Sequence, residues 1–319
     1  MEQSNRLSGA EAMVRMLDGF GVRHVFGLCG DTSLPFYDAL YRLEHGISHV
    51  LTRDERSAAY MADGYARVTG KVGVCEGPSG GGATYILPGV VEANESSIPV
   101  LAITTDVATT SAGRYALTEL DQEALFRPLT KLNRMIRDPG RLPADVRAAF
   151  RAMTTGRPGA AHLGLPFDVQ KAPVDMTEVY AEPAFGRYPA APVGPEPEAI
   201  ARAAEAILAA DRPVLVCGGG PVIAAAEREL LALAELIEAP VATTVSGQGA
   251  IDERHPLALG VVGSNGGTPE TRRVIDQADL VVFVGCRAGS VTTERWRHPT
   301  PGRAKIVHLD VDPNVIGAN

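Results

Sequence analysis

The sequence lacks any apolar run close to the ~20 residues that a membrane-spanning helix needs. Hydrophobic residues make up 45% of its 319 positions, but they are divided among short stretches. The opening segment, MEQSNRLSGAEAM, also lacks the positive charge followed by an apolar stretch that marks a signal peptide. These absences predict a globular protein that is located in the cytoplasm and makes no membrane contact.

Runs of basic residues and paired cysteines are absent as well. The net charge is -8 and the Lys and Arg residues are scattered, so nucleic acid is not predicted as a partner. The four cysteines, Cys29, Cys75, Cys217 and Cys286, lie far apart, each at the end of an apolar stretch. This spacing does not fit zinc or redox sites, and we predict four buried structural thiols.

The sequence does contain a regular alternation of helical and extended patterns, which is typical of a parallel sheet with helices on both faces. Residues 1–172 show this alternation, residues 173–197 are rich in proline and lose it, and residues 198–319 show it again. The predicted fold class is therefore α/β, with two doubly wound parallel-sheet domains joined by a linker. We expect Ser8 to cap the first helix and Gly70 to end a later one.

Glu55 is the first candidate for a catalytic residue. It follows an extended segment at the predicted start of a helix, with Asp54 beside it, and ordinary helix capping explains an acid there. The surrounding string TRDERSAAYMADGYARVTGKVGV favours catalysis instead. It resembles the segment that carries the activating glutamate in thiamine-diphosphate enzymes of the acetolactate synthase and pyruvate decarboxylase superfamily.

The resemblance continues through GVRHVFGLCGDTSLPFYDAL, ESSIPVLAITTDV, RPVLVCGGG and KIVHLDVDPNVIGAN, and so covers nearly the whole chain. It implies a pyrimidine-binding domain over residues 1–172 and a Rossmann-like central domain over residues 198–319, incomplete at its C-terminus. It also implies thiamine diphosphate as the cofactor, which serves as an electron sink for a carbanion. In the family, the glutamate hydrogen-bonds a ring nitrogen of the aminopyrimidine, whose imino tautomer then removes the thiazolium proton.

The turn GPSGGGATYILPG follows a predicted strand and opens a helix. Its glycines serve either a tight packing turn or close backbone approach to a ligand. Relatives usually read Ser-Gly-Pro-Gly-Ala-Thr-Asn here, whereas this chain has glycine at the proline position; Cys29 is a second departure, where many members carry proline. The cofactor-binding residues that the resemblance implies are Glu55, Gly30, Pro78, Ser79, Gly80, Gly82 and Thr84.

Asp31 resembles the aspartate that pyruvate decarboxylase-type members place near the reacting carbon, so it is a second catalytic candidate. A turn residue that bonds its own backbone explains it equally well. Arg114 and Tyr115 stand where the same branch has a His-His pair, and this speaks against a simple pyruvate decarboxylase. Arg114 is either a carboxylate-binding group or a solvated surface arginine. We assign Arg114, Tyr115 and Gln122 to the substrate side as expectations.

In the second half, Gly218-Gly219-Gly220 follows a predicted strand, but Ile223 stands at the third glycine of the dinucleotide fingerprint and Pro221 intrudes. NAD is therefore not predicted. Acetolactate synthases hold FAD with glycine turns comparable to VGSNGG and GCRAG, and FAD stays a weaker alternative.

Neither the Gly-Asp-Gly motif nor the diphosphate-binding domain of the superfamily is present in the sequence. The expectation is a subunit of a heteromeric lyase or carboligase, with Mg²⁺ and the diphosphate held by a partner chain and a homodimeric core that gives a heterotetramer. Its substrate would be a small 2-oxo acid, which it decarboxylates, joins to a carbonyl acceptor, or both. The alternatives are a non-catalytic regulatory or scaffolding homologue and a flavin- or nucleotide-binding protein.

Overall fold

A computed structural model describes residues 6–319; residues 1–5 of the predicted first domain lie outside the described residues. The chain divides into two compact units, one that ends at Ala191 and one that runs from Pro192 to Asn319. This division falls within the proline-rich segment 173–197. No helix in the described part of the chain is both long enough and apolar enough to cross a membrane.

The first unit is built around a six-stranded, fully parallel sheet with the strand order β3-β2-β4-β5-β7-β6, and a short antiparallel pair, β1 and β8, lies apart from it. The strands of this unit are β1 (Arg6–Ser8), β2 (His24–Gly27), β3 (Ser48–Leu51), β4 (Gly73–Gly77), β5 (Val100–Asp106), β6 (Leu132–Met135), β7 (Ala161–Pro166) and β8 (Pro173–Asp175).

Eight helices accompany these strands in the described part of the unit. They are α1 (Gly9–Gly19), α2 (Leu34–Arg42), α3 (Glu55–Thr69), α4 (Gly81–Tyr85), α5 (Leu87–Glu95), α6 (Gln122–Phe126), α7 (Leu142–Thr154) and α8 (Phe167–Lys171). Ser8 caps α1 in a reciprocal capping box with Glu11, as predicted. Gly70 ends α3 in the left-handed conformation at φ +66, which is also confirmed.

Successive residues of the central strands point to opposite faces of the sheet. Val74 on β4 packs in the layer formed with α1, α2 and α7, whereas its neighbour Cys75 packs in the layer formed with α3 and α5. Both faces are thus covered by helices, and the predicted doubly wound parallel arrangement is confirmed. Strands β1, β6 and β8 were not predicted.

The second unit repeats this plan with a five-stranded parallel sheet. Its elements are α9 (Pro197–Leu208), β9 (Pro213–Cys217), α10 (Gly220–Ile223), α11 (Glu227–Leu236), β10 (Val241–Thr243), β11 (Ala258–Val261), α12 (Pro269–Gln277), β12 (Leu280–Val284) and β13 (Lys305–Leu309). The strand order of the sheet is β11-β10-β9-β12-β13. Helix α12 contributes to one core layer, and α9 and α11 contribute to the other. Strand β11 was not predicted.

The strand order of the first sheet reverses between β2 and β4. The connection from β2 leads outward to β3, whereas the chain returns from β3 to the other side of β2 and continues through β4 to β5. The loops at the carboxyl ends of such strands diverge and leave a crevice, which is where doubly wound proteins bind ligands. The loops after β2, β3 and β4 therefore carry the candidate site.

Candidate active site

Helix α3 begins beside this crevice, and Asp54 is its capping residue. The Asp54 carboxylate accepts from the Arg56 backbone N–H at 2.8 Å and pairs with the Arg56 guanidinium at 2.6 Å. These hydrogen bonds lower the pKa of Asp54 to about 2. Glu55, half-buried, makes no hydrogen bond or ion pair within residues 6–319. Capping therefore explains Asp54, and it leaves the carboxyl group of Glu55 unengaged.

The Glu55 carboxyl group lies against the glycine-rich turn after β4. A Cβ atom on Gly82 would stand 3.3 Å from Glu55 Oε1 and 2.6 Å from Pro78 Cγ. A Cβ atom on Gly30, in the loop after β2, would stand 2.5 Å from the Pro78 Cβ. The fold thus brings Glu55, Gly30, Pro78 and Gly82 together from three separate loops.

Close packing requires glycine at positions 77, 80 and 82, but not at Gly81. Gly80 has φ +72, and a Cβ atom on it would lie 2.7 Å from Thr118 Cβ. A Cβ atom on Gly77 would lie 2.7 Å from the carbonyl oxygen of Gly82. Protein atoms therefore fill the space that a side chain would need, and the packing interpretation of the sequence accounts for these positions.

The hydroxyl groups of the turn are engaged within the protein. Ser79 Oγ lies 2.6 Å from Thr118 Oγ1, and the Ser79 backbone N–H donates to Thr32 Oγ1 at 3.1 Å. Thr84 Oγ1 donates to the Gly81 carbonyl at 2.8 Å. Ser79 thus ties the turn to the loop that follows β5, and Thr84 stabilises the start of α4.

Asp31 lies at the start of a 3-10 turn after β2, and its side chain is exposed. Ser33 closes this turn: its hydroxyl accepts from the Gly30 N–H at 2.9 Å and donates to the Gly30 carbonyl at 3.0 Å. The turn therefore does not depend on the Asp31 carboxylate, and the side chain is available at the mouth of the crevice.

The three residues assigned to the substrate side differ in exposure. Arg114 and Tyr115 lie in an exposed loop, and Tyr115 is fully exposed with φ +58. Gln122 is only 1% exposed. Its amide oxygen accepts from the Thr104 hydroxyl, and its amide nitrogen donates to the Thr105 carbonyl at 3.0 Å. The Gln122 side chain thus joins α6 to β5, and both ends of its amide are used inside the protein.

The prediction of four buried thiols was wrong for Cys29. The other three cysteines are buried, but Cys29 is exposed because it follows the end of β2, where the chain leaves the sheet. Partial burial raises the pKa of this thiol.

Glu76 is a residue of this region that the sequence reasoning missed. It is fully buried on β4, directly before Gly77, and its Oε2 accepts from the Tyr37 hydroxyl at 2.7 Å. Burial raises the pKa of Glu76 to about 8, although the hydrogen bond from Tyr37 acts in the opposite direction. The available signal was a charged residue within the otherwise apolar strand GVCEG, because an unpaired acid is rarely buried.

A thiamine pyrimidine ring would need an acid or acceptor at the crevice that no other group of the protein occupies. The carboxyl group of Glu55 meets this requirement, since it is half-buried at a helix start and unengaged. The residues present therefore fit the pyrimidine end of the cofactor. Among residues 6–319, no group of three or more His, Cys, Asp or Glu side chains is placed to hold a metal ion.

Glycines also lie at the reversal of strand order in the second sheet, between β9 and β12. A Cβ atom on Gly220 would stand 2.5 Å from Gly285 Cα, and one on Gly218 would stand 2.7 Å from Cys286 Cα. These glycines allow the two loops to pack backbone against backbone, which explains them without a flavin.

Each unit of the chain matches a known family. Residues 7–125 match the family described as thiamine pyrophosphate enzyme, N-terminal TPP binding domain. Residues 200–319 match the family described as thiamine pyrophosphate enzyme, central domain. The chain belongs to the thiamine pyrophosphate enzymes, as the sequence resemblance implied.

Several proteins similar to this chain are named acetolactate synthases. The chain is 44% identical over 316 residues to a probable acetolactate synthase large subunit of Methanocaldococcus jannaschii. The aligned region covers 98% of this chain and 52% of that protein. It is 40% identical over 326 residues to an acetolactate synthase of Arthrospira platensis (98% and 55%). It is 37% identical over 313 residues to the acetolactate synthase isozyme 1 large subunit of Escherichia coli (98% and 54%). The chain spans about half the length of these relatives.

Proposed function

We propose that this chain provides the pyrimidine-binding part of a thiamine-diphosphate enzyme that decarboxylates a 2-oxo acid, joins the resulting acyl carbanion to a carbonyl acceptor, or does both. The relatives named acetolactate synthase support this class of reaction. The observation that carries the proposal is the unengaged carboxyl group of Glu55, which the chain presents beside Gly82 where the strand order reverses.

In this proposal, Glu55 binds the aminopyrimidine ring through a hydrogen bond and holds or shares a proton at that ring nitrogen. Bound thiamine diphosphate supplies the electron sink for the carbanion. Gly30, Pro78, Ser79, Gly80, Gly82 and Thr84 shape the loops around the ring. Their close packing supports a rigid wall, since protein atoms occupy the space beside each of the turn glycines at positions 80 and 82.

Asp31 is proposed as the second catalytic acid, because its exposed carboxylate is free of the turn that it begins. Arg114 and Tyr115, exposed on their loop, are proposed to contact the substrate carboxylate from that side. For Gln122 we propose an indirect part on the substrate side, in which its two amide hydrogen bonds keep α6 fixed to β5.

We propose that a partner subunit carries the diphosphate-binding domain and holds Mg²⁺. A homodimeric core of this chain would then form a heterotetramer with it. Two of the relatives are named large subunits, which supports assembly with another chain. FAD stays a weaker proposal for the second unit, because packing already explains its glycines. The cytoplasmic location stays a prediction that cell fractionation checks.

The test of the central proposal is Glu55→Gln in the reconstituted complex, with the exposed Glu44→Gln as the matched control. We expect the Glu55 variant to lose turnover by at least two orders of magnitude while it keeps wild-type circular dichroism, since only the acid function is removed. The Glu44 variant should keep full activity. Undiminished turnover by a folded Glu55→Gln complex would refute the assignment.

Co-purification distinguishes the remaining alternatives. A partner that contains the diphosphate-binding domain would favour catalysis, whereas a complete, independently active homologue as the partner would favour a regulatory role. A yellow preparation would favour flavin binding.

A further inference from the structure

Glu76 occupies a position where a charge is not expected. It lies opposite Gly27 of β2 in the register of the sheet, and its side chain points to the layer that contains α2, because Val74, two residues earlier, packs there. The residue is fully buried. An isolated carboxylate in such a place is costly unless it is paired with a cation or with several donors.

The hydrogen bonds that Glu76 receives within residues 6–319 are fewer than a buried carboxylate needs. The Tyr37 hydroxyl donates to Oε2 at 2.7 Å, and Oε1 has no partner within residues 6–319. The nearby Ser33 hydroxyl donates to the Gly30 carbonyl at 3.0 Å, and like the Tyr37 hydroxyl it acts to lower the pKa of Glu76.

No cation faces this carboxyl group among the described residues. The titratable groups that surround it are Tyr37 from α2, Glu55 from the start of α3, Cys29 from the loop after β2, its neighbour Cys75 on β4, and His49 from β3, which contacts the Tyr37 ring. Burial lowers the pKa of His49, so this imidazole is neutral at pH 7.

Glu76 is also connected to the candidate active site by two successive close contacts. It is followed by Gly77, which packs against the Gly82 carbonyl, and Gly82 packs against the Glu55 carboxyl group. On the other side, a Cβ atom on Gly27 would stand 3.1 Å from Glu76 Oε2. The tight fit leaves no room for a hydrated carboxylate without movement of β4 or of the turn that follows it.

We propose that Glu76 is a positioning residue of the thiamine-activating site: with its proton in place it fixes β4 and the turn 77–82 against Glu55, and loss of that proton displaces the turn. This inference rests on the proposed function of Glu55. Burial, and to a smaller extent the charge of Glu55, raise the pKa of Glu76 to about 8, so the change falls in the mildly alkaline range.

The first experiment uses this chain without a partner subunit and measures whether the environment of turn 77–82 changes with pH. Glycine labelled with ¹³C at Cα and glutamate labelled at Cδ report the turn and the acid by NMR between pH 6 and pH 9.5. In the wild type we expect the signals of Glu76, Gly77 and Gly82 to titrate together with a midpoint near 8. In Glu76→Gln the glycine signals should stay constant, and in Glu44→Gln they should titrate as in the wild type.

Two further variants test which groups set the midpoint of Glu76, and they are informative even if Glu76→Gln does not fold. Glu55→Gln removes a negative charge, so the midpoint of Glu76 should fall. Tyr37→Phe removes the donor that favours the ionised form, so the midpoint should rise. Glycine signals that do not titrate in the wild type, or that titrate equally in Glu76→Gln, would overturn the proposal.

The second experiment measures the affinity of the reconstituted enzyme for thiamine diphosphate against pH. If only the protonated form binds, we expect affinity to fall about fivefold between pH 8 and pH 9 in the wild type and to stay level in Glu76→Gln. An equal loss in both proteins would overturn the role of Glu76. If thiamine diphosphate binds at no pH while the glycine signals titrate as expected, the proposed function of Glu55 fails and the structural coupling of Glu76 to the turn stands.

Discussion

The stability of the first unit should depend on pH through Glu76. The ordinary pKa of a glutamic acid is 4.5, and burial raises it here to about 8. Between these values the folded protein retains a proton that the unfolded chain has released, so stability is full below pH 4.5 and falls as the pH rises towards 8. Each pH unit is worth about 1.4 kcal/mol, so about 3.5 units correspond to roughly 5 kcal/mol at most.

Glu76→Gln should remove this dependence, because an amide stays neutral at every pH. Its nitrogen would replace Oε1, which has no partner among the described residues, and this should lower stability by about 1–3 kcal/mol at all pH values. The pH dependence of stability, rather than its value at one pH, therefore tests the role of Glu76. The difference in stability between variant and wild type should change by about 2 kcal/mol between pH 6.5 and pH 8, in favour of the variant.

Comparison with the variant is needed because other groups titrate too. Burial lowers the pKa of His162 from 6.5 to about 3, so the unfolded chain binds more protons there and stability rises with pH through that range. This slope opposes that of Glu76, but it is common to both proteins and cancels in the difference.

Hydrogen exchange measured by mass spectrometry is the suitable assay, because peptides from β4 and β5 report the first unit alone. The opening free energy is obtained at each pH after correction for the intrinsic exchange rate. Parallel curves for wild type and Glu76→Gln from pH 6.5 to pH 8 would refute the reasoning, and Glu44→Gln supplies the surface control.

Two other changes test local features of the first unit. Ser8→Ala removes half of the capping box of α1 and should lower the free energy of unfolding by about 1 kcal/mol, measured by the same exchange assay; an unchanged value would contradict the role of the cap. Gly82→Ala places a methyl group 2.6 Å from Pro78 Cγ and 3.3 Å from Glu55 Oε1, so thiamine diphosphate affinity should fall at least tenfold in the reconstituted enzyme. Gly64→Ala, where nothing lies within 4 Å, is its control, and equal affinities would show that the turn tolerates the methyl group.

The central strands could be predicted from the sequence because they are buried on both faces. Strand β5 (Val100–Asp106) begins with the apolar run VLAI, and helices cover it on each side. Strands β6 (Leu132–Met135) and β11 (Ala258–Val261) lie at sheet edges and are only partly buried. Strand β6 contains the polar residues Asn133 and Arg134, and β11 has only four residues with Gly260 among them, so neither strand was predicted.

The candidate site was only partly predictable for a different reason. Two adjacent acids, Asp54 and Glu55, satisfy the same capping pattern, and only the hydrogen bonds separate their roles. The family resemblance, rather than the local pattern, singled out Glu55. Glu76 was missed because its partner Tyr37 lies 39 residues away, and the fold alone brings the two together.

Pro78 restricts which substitutions the loops around the crevice can accept, in evolution or in design. Its ring fills the space beside both Gly30 and Gly82, which belong to different loops. The crevice can therefore accommodate a side chain at either glycine only if position 78 carries a smaller residue. A single substitution at either glycine would clash with the Pro78 ring. Variant libraries aimed at the specificity of the crevice should randomise positions 30, 78 and 82 as one unit, since a one-position scan would report positions 30 and 82 as immutable.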